Sequence, residues 1–215
     1  DGMNSSLVAL LERTFWWIHI TGILVFLNYL YFSKHLHILL AFPNTYFADL
    51  NPKGQFDNLA SVTAEVKLMM DPNADPYATP VVDENAVPSK FGASDVQDLN
   101  WVQLLNAYTC TECGRCTSSC PANQTGKKLS PRKIMMDTRD RLQEVGKNID
   151  ANKGVFVTDN KSLLNDYITT EELWACTSCN ACVEECPVNI SPLSIIMDMR
   201  RYLVMEQSAA PMSLN

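Results

Sequence analysis

Apolar and polar positions divide the chain into three stretches with different rhythms. Residues 14–32, "TFWWIHITGILVFLNYLYF", carry no formal charge over 19 positions, and about 20 apolar residues suffice to cross the hydrocarbon core of a bilayer. This predicts a transmembrane helix, which would continue to Ala41 and be stopped by Pro43. No small-x-small cleavage pattern follows it, which argues against a cleaved signal peptide. Residues 43–93 lose periodicity and are rich in Pro, Asn and Asp. Within them only "SVTAEVKLMM" reads as helical. Tyr46, Phe47, Phe56, Tyr77 and Phe91 predict an ordered wrap that buries these aromatics, in preference to a free linker.

A helical period returns at Ser94. "SDVQDLNWVQLLNAY" has Ser94 and Gln97 at capping-box spacing and predicts one helix, and "TTEELWA" predicts another capped by Thr169. "LSPRKIMMDTRDRL" (129–142) predicts a helix with Ser130 as N-cap, Pro131 in the first turn and Ile134, Met135 and Leu142 inward. "ISPLSIIMDMRRYL" (190–203) has the same grammar. At an offset of 61 the two share Ser-Pro, Ile, Met, Asp, Arg and Leu, an internal repeat. Trp101 and Trp174 read as core aromatics. The expected organisation is a transmembrane region (1–42), an extended connector (43–93), a helical domain (94–207) and a tail (208–215).

The cysteines supply the chemistry. All eight fall in "CTECGRCTSSCP" (110–121) and "CTSCNACVEECP" (176–187), spaced three, three and four positions apart and followed by proline. Two intervening residues are too few for an ordinary structural disulfide but suit ligands converging on a metal centre. Four thiolates can hold zinc, yet zinc explains poorly two runs that both end in Cys-Pro, and no thioredoxin-like context surrounds either C-x-x-C. In two-cluster ferredoxins the trailing cysteine ligates the other cluster. The expected ligand sets are therefore Cys110, Cys113, Cys116 and Cys186 for one [4Fe–4S] cluster, and Cys176, Cys179, Cys182 and Cys120 for the second. The motifs begin 66 positions apart, too far for a compact β-rich ferredoxin. The pattern of residues 90–207 resembles the helical ferredoxin domain found in iron–sulfur subunits of succinate dehydrogenase and of heterodisulfide reductase. That resemblance implies a relay with two cubanes. The fold class expected is mainly α, one transmembrane helix followed by an α-helical ferredoxin domain binding two 4Fe-4S clusters.

The formal net charge of −7 gives no reason to expect a nucleic-acid partner. A basic set beside the first motif, Lys127, Lys128, Arg132, Lys133, Arg139 and Arg141, would suit either an acidic redox partner or a solvated helix face. Charge orients the anchor weakly: Arg13 precedes it, whereas Lys34, Lys53 and Lys67 follow, pointing to the cytoplasmic side of the inner membrane.

The chain has three histidines, His19, His35 and His37. On one unbroken helix His19 and His37 share a face about 27 Å apart, and intramembrane ionisable groups are functional candidates. "WWIHI…YLYFSKHLHILLAFPN" resembles the last transmembrane region of the haem-b-binding gamma subunit of respiratory nitrate reductases. The resemblance implies His19 and His37 as axial ligands of haem b, with the remaining histidines supplied by missing helices or by other polypeptides. The order of parts is similar to membrane iron–sulfur proteins related to heterodisulfide reductase. The expected function is membrane-anchored electron transfer between a quinone or haem b site and a cytoplasmic redox partner. Two alternatives stand beside it. The chain is a fragment of a heterodisulfide-reductase-like or flavoprotein-linked quinone oxidoreductase lacking its catalytic CCG modules, or its clusters are structural.

Overall fold

A computed structural model describes residues 5–33, 35–52, 55–71 and 90–211. Among these residues the protein is helical and has no strand, only an isolated bridge between Leu164 and Ile168. Lys34 and Lys53, expected to orient the anchor, and Tyr77, expected to be buried, lie outside the described residues.

Helix α1 (Ser5–Leu30) is long and apolar enough to cross a membrane, and Leu30 is its only buried residue. Phe15, Trp16, Trp17, Ile18 and Leu24 through Leu27 all face outward, so α1 is not a core helix of the folded part. The expected unbroken helix to Ala41 does not form. Ser33 ends it locally: its hydroxyl donates to the Leu30 carbonyl (3.0 Å) and accepts from the His35 amide (3.2 Å). Such side-chain bonds replace the i→i−4 ladder. Helix α2 (Leu36–Tyr46) then restarts, and Pro43 lies inside it instead of stopping it. Packing overrides the proline here, because α2 lies along α4 (Trp101–Thr109). Its Asn44, fully buried, donates from Nδ2 to the Val188 carbonyl at 2.8 Å.

Helix α3 (Ala60–Met70) forms where the sequence predicts it. The wrap around it does not bury its aromatics: Tyr46, Phe47 and Phe56 are exposed, while Phe91 is half-buried. Phe47 instead meets Trp101 edge-on, with centroids 4.7 Å apart, and Trp101 is likewise exposed, not a core residue. The segment closes onto the helical part at Gly92 (φ 85°), where a Cβ would lie 2.2 Å from the Asp198 carbonyl oxygen. Glycine is the residue that permits both that angle and that approach.

The single helix expected from Ser94 is two. A 3₁₀ turn (Val96–Asp98) is capped by Asp95, the chain straightens at Leu99, and α4 starts afresh with Asn100 as N-cap and Gln103 completing its capping box. Two caps compete within one polar run, and each takes its own helix. After the first cysteine loop come the one-turn helices α5 (Arg115–Ser118) and α6 (Pro121–Gln124) and the long α7 (Pro131–Ala151). The second unit repeats this with α8 (Thr170–Ala175), α9 (Ala181–Glu184) and α10 (Pro192–Met205). Ser130 and Ser191 cap α7 and α10, with proline at the first position, and Thr169 caps α8. Ile134 and Met135 of α7 bury against Ile195, Ile196, Met199 and Leu203 of α10, with Leu163, Ile168 and Leu173 filling the side. The units also grip each other through their caps. Gln103 donates to Asp198 of α10 (2.7 Å), and Glu172 pairs with Lys133 of α7 (2.8 Å).

Candidate iron–sulfur site

The two cysteine loops have matching backbone shapes. Cys110 and Cys176 terminate α4 and α8 in extended conformation, and Cys116 and Cys182 lie in the one-turn helices α5 and α9. Between them the backbone turns left-handed twice: at Glu112 (φ 60°) and Gly114 (φ 84°), then at Ser178 (φ 56°) and Asn180 (φ 60°). Alternating the two hands aims successive N–H groups at a common point, the concavity that holds anions and iron–sulfur clusters. The Ser178 amide donates to Cys176 Sγ at 3.4 Å, and the Glu112 amide donates to the Cys110 sulfur in the same way.

Tertiary packing brings each trailing cysteine to the other loop. A cavity of about 60 Å³ is lined by Cys110, Cys113, Cys116 and Cys186, closed by Met135, Pro187 and Ile190. Cys186 adds to the upward push on the thiols of both Cys110 and Cys116. Symmetrically, Cys120 and Cys179 act on Cys176 and Cys182. The two groups adjoin: Cys182 borders the first cavity and also senses Cys116, because α5 packs on α9. No disulfide joins any of the eight cysteines. Burial, the largest influence, raises the thiols of Cys110, Cys116 and Cys176 and pushes Cys182 up to about 12. Ligand cysteines bind as thiolates, so metal binding releases those protons. Among the described residues no three His, Cys, Asp or Glu side chains converge tightly enough for a single metal ion. Thiols that ring a cavity instead of a point suit a multi-iron cluster and not a lone zinc.

The histidines are placed differently from expectation. His19 is exposed on α1, whereas His37 is half-buried on α2, so the shared face of one continuous helix does not exist. His37 lies beside His35 (ring centroids 6.3 Å), which lies near Phe26 (6.5 Å). The basic set is largely consumed internally. Arg141 is fully buried between Asp95 and Asp159; Arg139 pairs with Glu112, Lys133 with Asp137 and Glu172, and Lys128 with Glu171. Only Lys127 and Arg132 remain as exposed members without an ion pair among the described residues.

Sequence reading missed Arg200, whose guanidinium caps the second loop. It donates to the carbonyls of Leu173 and Cys176 and to Ser178 Oγ, and stacks on Trp174 with its carbon 5.0 Å from the ring centre. The signal was present: Arg200 is the repeat partner of Arg139 at the offset of 61.

Fold and cysteine geometry together describe an α-helical iron–sulfur domain, and residues 109–190 match the 4Fe-4S dicluster domain family. The chain carries that domain, and its relatives are iron–sulfur electron-transfer and oxidoreductase proteins. It is 31% identical to the probable iron-sulfur-binding oxidoreductase FadF of Bacillus subtilis, over 96% of this chain and 30% of FadF. It is 28% identical to the EtfAB:quinone oxidoreductase of Syntrophomonas wolfei, over 97% of this chain and 28% of that protein. A probable membrane-anchored ferredoxin of Chromohalobacter salexigens is 34% identical over 60% of this chain and 21% of its own length. Components of the CoB-CoM heterodisulfide reductases of Methanosarcina match about half of the chain. The chain thus spans less than a third of the length of the first three relatives. No solved structure matches.

Proposed function

We propose that this chain is the membrane-anchored dicluster segment of an electron-transfer oxidoreductase. Cys110, Cys113, Cys116 and Cys186 hold one [4Fe–4S] cluster, and Cys176, Cys179, Cys182 and Cys120 hold the other. The observation that carries this is the crossed placement of the trailing cysteines around two adjoining sites. Clusters supply one-electron chemistry when bound. The chain contributes the rest: backbone N–H groups aimed at the sulfurs, apolar walls from Met135 and Ile190 that exclude water, and contact between α5 and α9 that keeps the sites close. Helix α1 serves as the anchor, the residues from Ser94 onward face the cytoplasm as the dicluster domain, and residues 43–93 connect the two. The membrane-side partner is a quinone, a reading supported by the S. wolfei relative's name.

His19 and His37 sit on separate helices, α1 and α2, without the common helix face that the resemblance implied, and the proposed relay does not pass through a haem b. Relatives more than three times longer favour a second reading, in which this segment feeds a catalytic module elsewhere in the same polypeptide. The test is iron and acid-labile sulfide analysis with EPR of the full chain purified anaerobically in detergent. Roughly eight irons per chain and two interacting cubane signals are expected. One metal per chain, or zinc, would refute the reading.

A further inference from the structure

The internal repeat makes the two cluster sites nearly equivalent in backbone, so a difference in side-chain charge stands out. Arg139 on α7 and Arg200 on α10 occupy equivalent positions, and each reaches the residue two after its loop's first cysteine. Arg139 meets a carboxylate, Glu112 Oε1, at 2.6 Å. Arg200 meets a hydroxyl, Ser178 Oγ, at 3.3 Å. Its remaining partners are the carbonyls of Leu173 and Cys176 and the face of Trp174. None of these carries a formal charge, and among the described residues no carboxylate pairs with Arg200.

We propose that Arg200 is a positioning residue that separates the two clusters in reduction potential. The cluster of Cys176, Cys179, Cys182 and Cys120 is the easier to reduce, and an electron arriving at the first cluster moves on to it. In that step the first cluster loses one electron, the second gains it, and no proton moves. A half-buried cation without a carboxylate partner, such as Arg200, stabilises the added negative charge more than one cancelled by a carboxylate. Arg115 and Arg132 also border the first cavity, but both are exposed, where water and salt screen them. Glu184 and Glu185, beside the second loop, are exposed too.

The proposal rests on the cysteines holding cubanes, so the unaltered full chain is titrated first with dithionite and followed by EPR; two cubane signals keep that reading. Arg200→Gln is then expected to lower one signal's midpoint by at least a tenfold change in its reduced-to-oxidised ratio, about 59 mV for one electron. Arg200→Lys, which keeps charge but not the fork of hydrogen bonds, is expected to restore most of the midpoint. Glu112→Gln uncovers Arg139 without touching Arg200, and is expected to raise the midpoint of the other signal. The proposal is overturned if Arg200→Gln and Arg200→Lys shift the signal equally, as loss of a structural contact would. It is equally overturned if Glu112→Gln leaves both midpoints unchanged or moves the signal that answers to Arg200.

Discussion

Arg141 is the most informative place to perturb the fold, because a fully buried arginine is tolerated only with complete pairing. Its Nε and Nη2 hold Asp95 (2.7–3.2 Å), Nη1 and Nη2 hold Asp159 (2.5 and 3.0 Å), and Nη2 also reaches the Lys161 carbonyl (2.8 Å). One side chain thereby ties α7 to the entry of the 3₁₀ turn and to the strap before α8. The guanidinium holds the Asp159 carboxyl down at about 2. Relative to an ordinary aspartate near 3.9 that is nearly two pH units, or about 2.5 kcal/mol at 1.36 kcal/mol per unit. Because the side chain is 24% exposed, solvent trims this to about 2 kcal/mol. A lowered carboxyl adds stability that is present above pH 4 and fades as pH falls towards 2. Asp159→Asn should therefore cost about 2 kcal/mol at pH 7, and Arg141→Met about 3–5 kcal/mol, since it strands two carboxylates. Loss of visible absorbance in guanidinium gives an unfolding rate for the cluster-loaded protein. Asp159→Asn should raise that rate up to roughly 30-fold if the contact is absent from the transition state. The double variant decides the matter: with a shared partner its loss must fall at least about 1 kcal/mol short of the summed single losses. Simple additivity would show that the triad is not the unit described.

Gly92→Ala should destabilise by about 3 kcal/mol, because it combines a left-handed angle with a methyl 2.2 Å from the Asp198 oxygen; thermal melting of the cluster-loaded protein reads this, and an unchanged midpoint would refute the close approach. Cys186→Ser should abolish or convert the cluster of the first loop, and Cys120→Ser that of the second, so EPR of each variant should lose the opposite signal from the one its sequence position suggests. Asn44→Asp should cost about 3 kcal/mol or more by placing a charge at a fully buried position whose Oδ1 has no hydrogen-bond partner. Protease sensitivity of residues 47–59 should rise with it as α2 leaves α4.

The local grammar of the dicluster part was legible in the chain. Ser130-Pro131, Ser191-Pro192 and Thr169 start helices where capping chemistry says they must, and the cysteine spacings announced two equivalent loops. Those signals are short-range: a cap, a proline and a two-residue gap act within one turn. Where two local signals competed, reading by pattern failed. Ser33 broke the apolar run because its hydroxyl took over backbone bonds, Asn100 cut one predicted helix in two, and Pro43 was overridden by packing on α4. Long-range charge was invisible for a different reason. Lys and Arg beside the first motif looked like a solvated face until folding placed Asp95, Asp159, Glu112 and Glu172 against them from as far as 46 positions away. The same packing gave Arg139 a carboxylate and left its repeat partner Arg200 without one. Sequence determined that there are two alike sites; only tertiary structure, by choosing which charges meet at each, made them unequal.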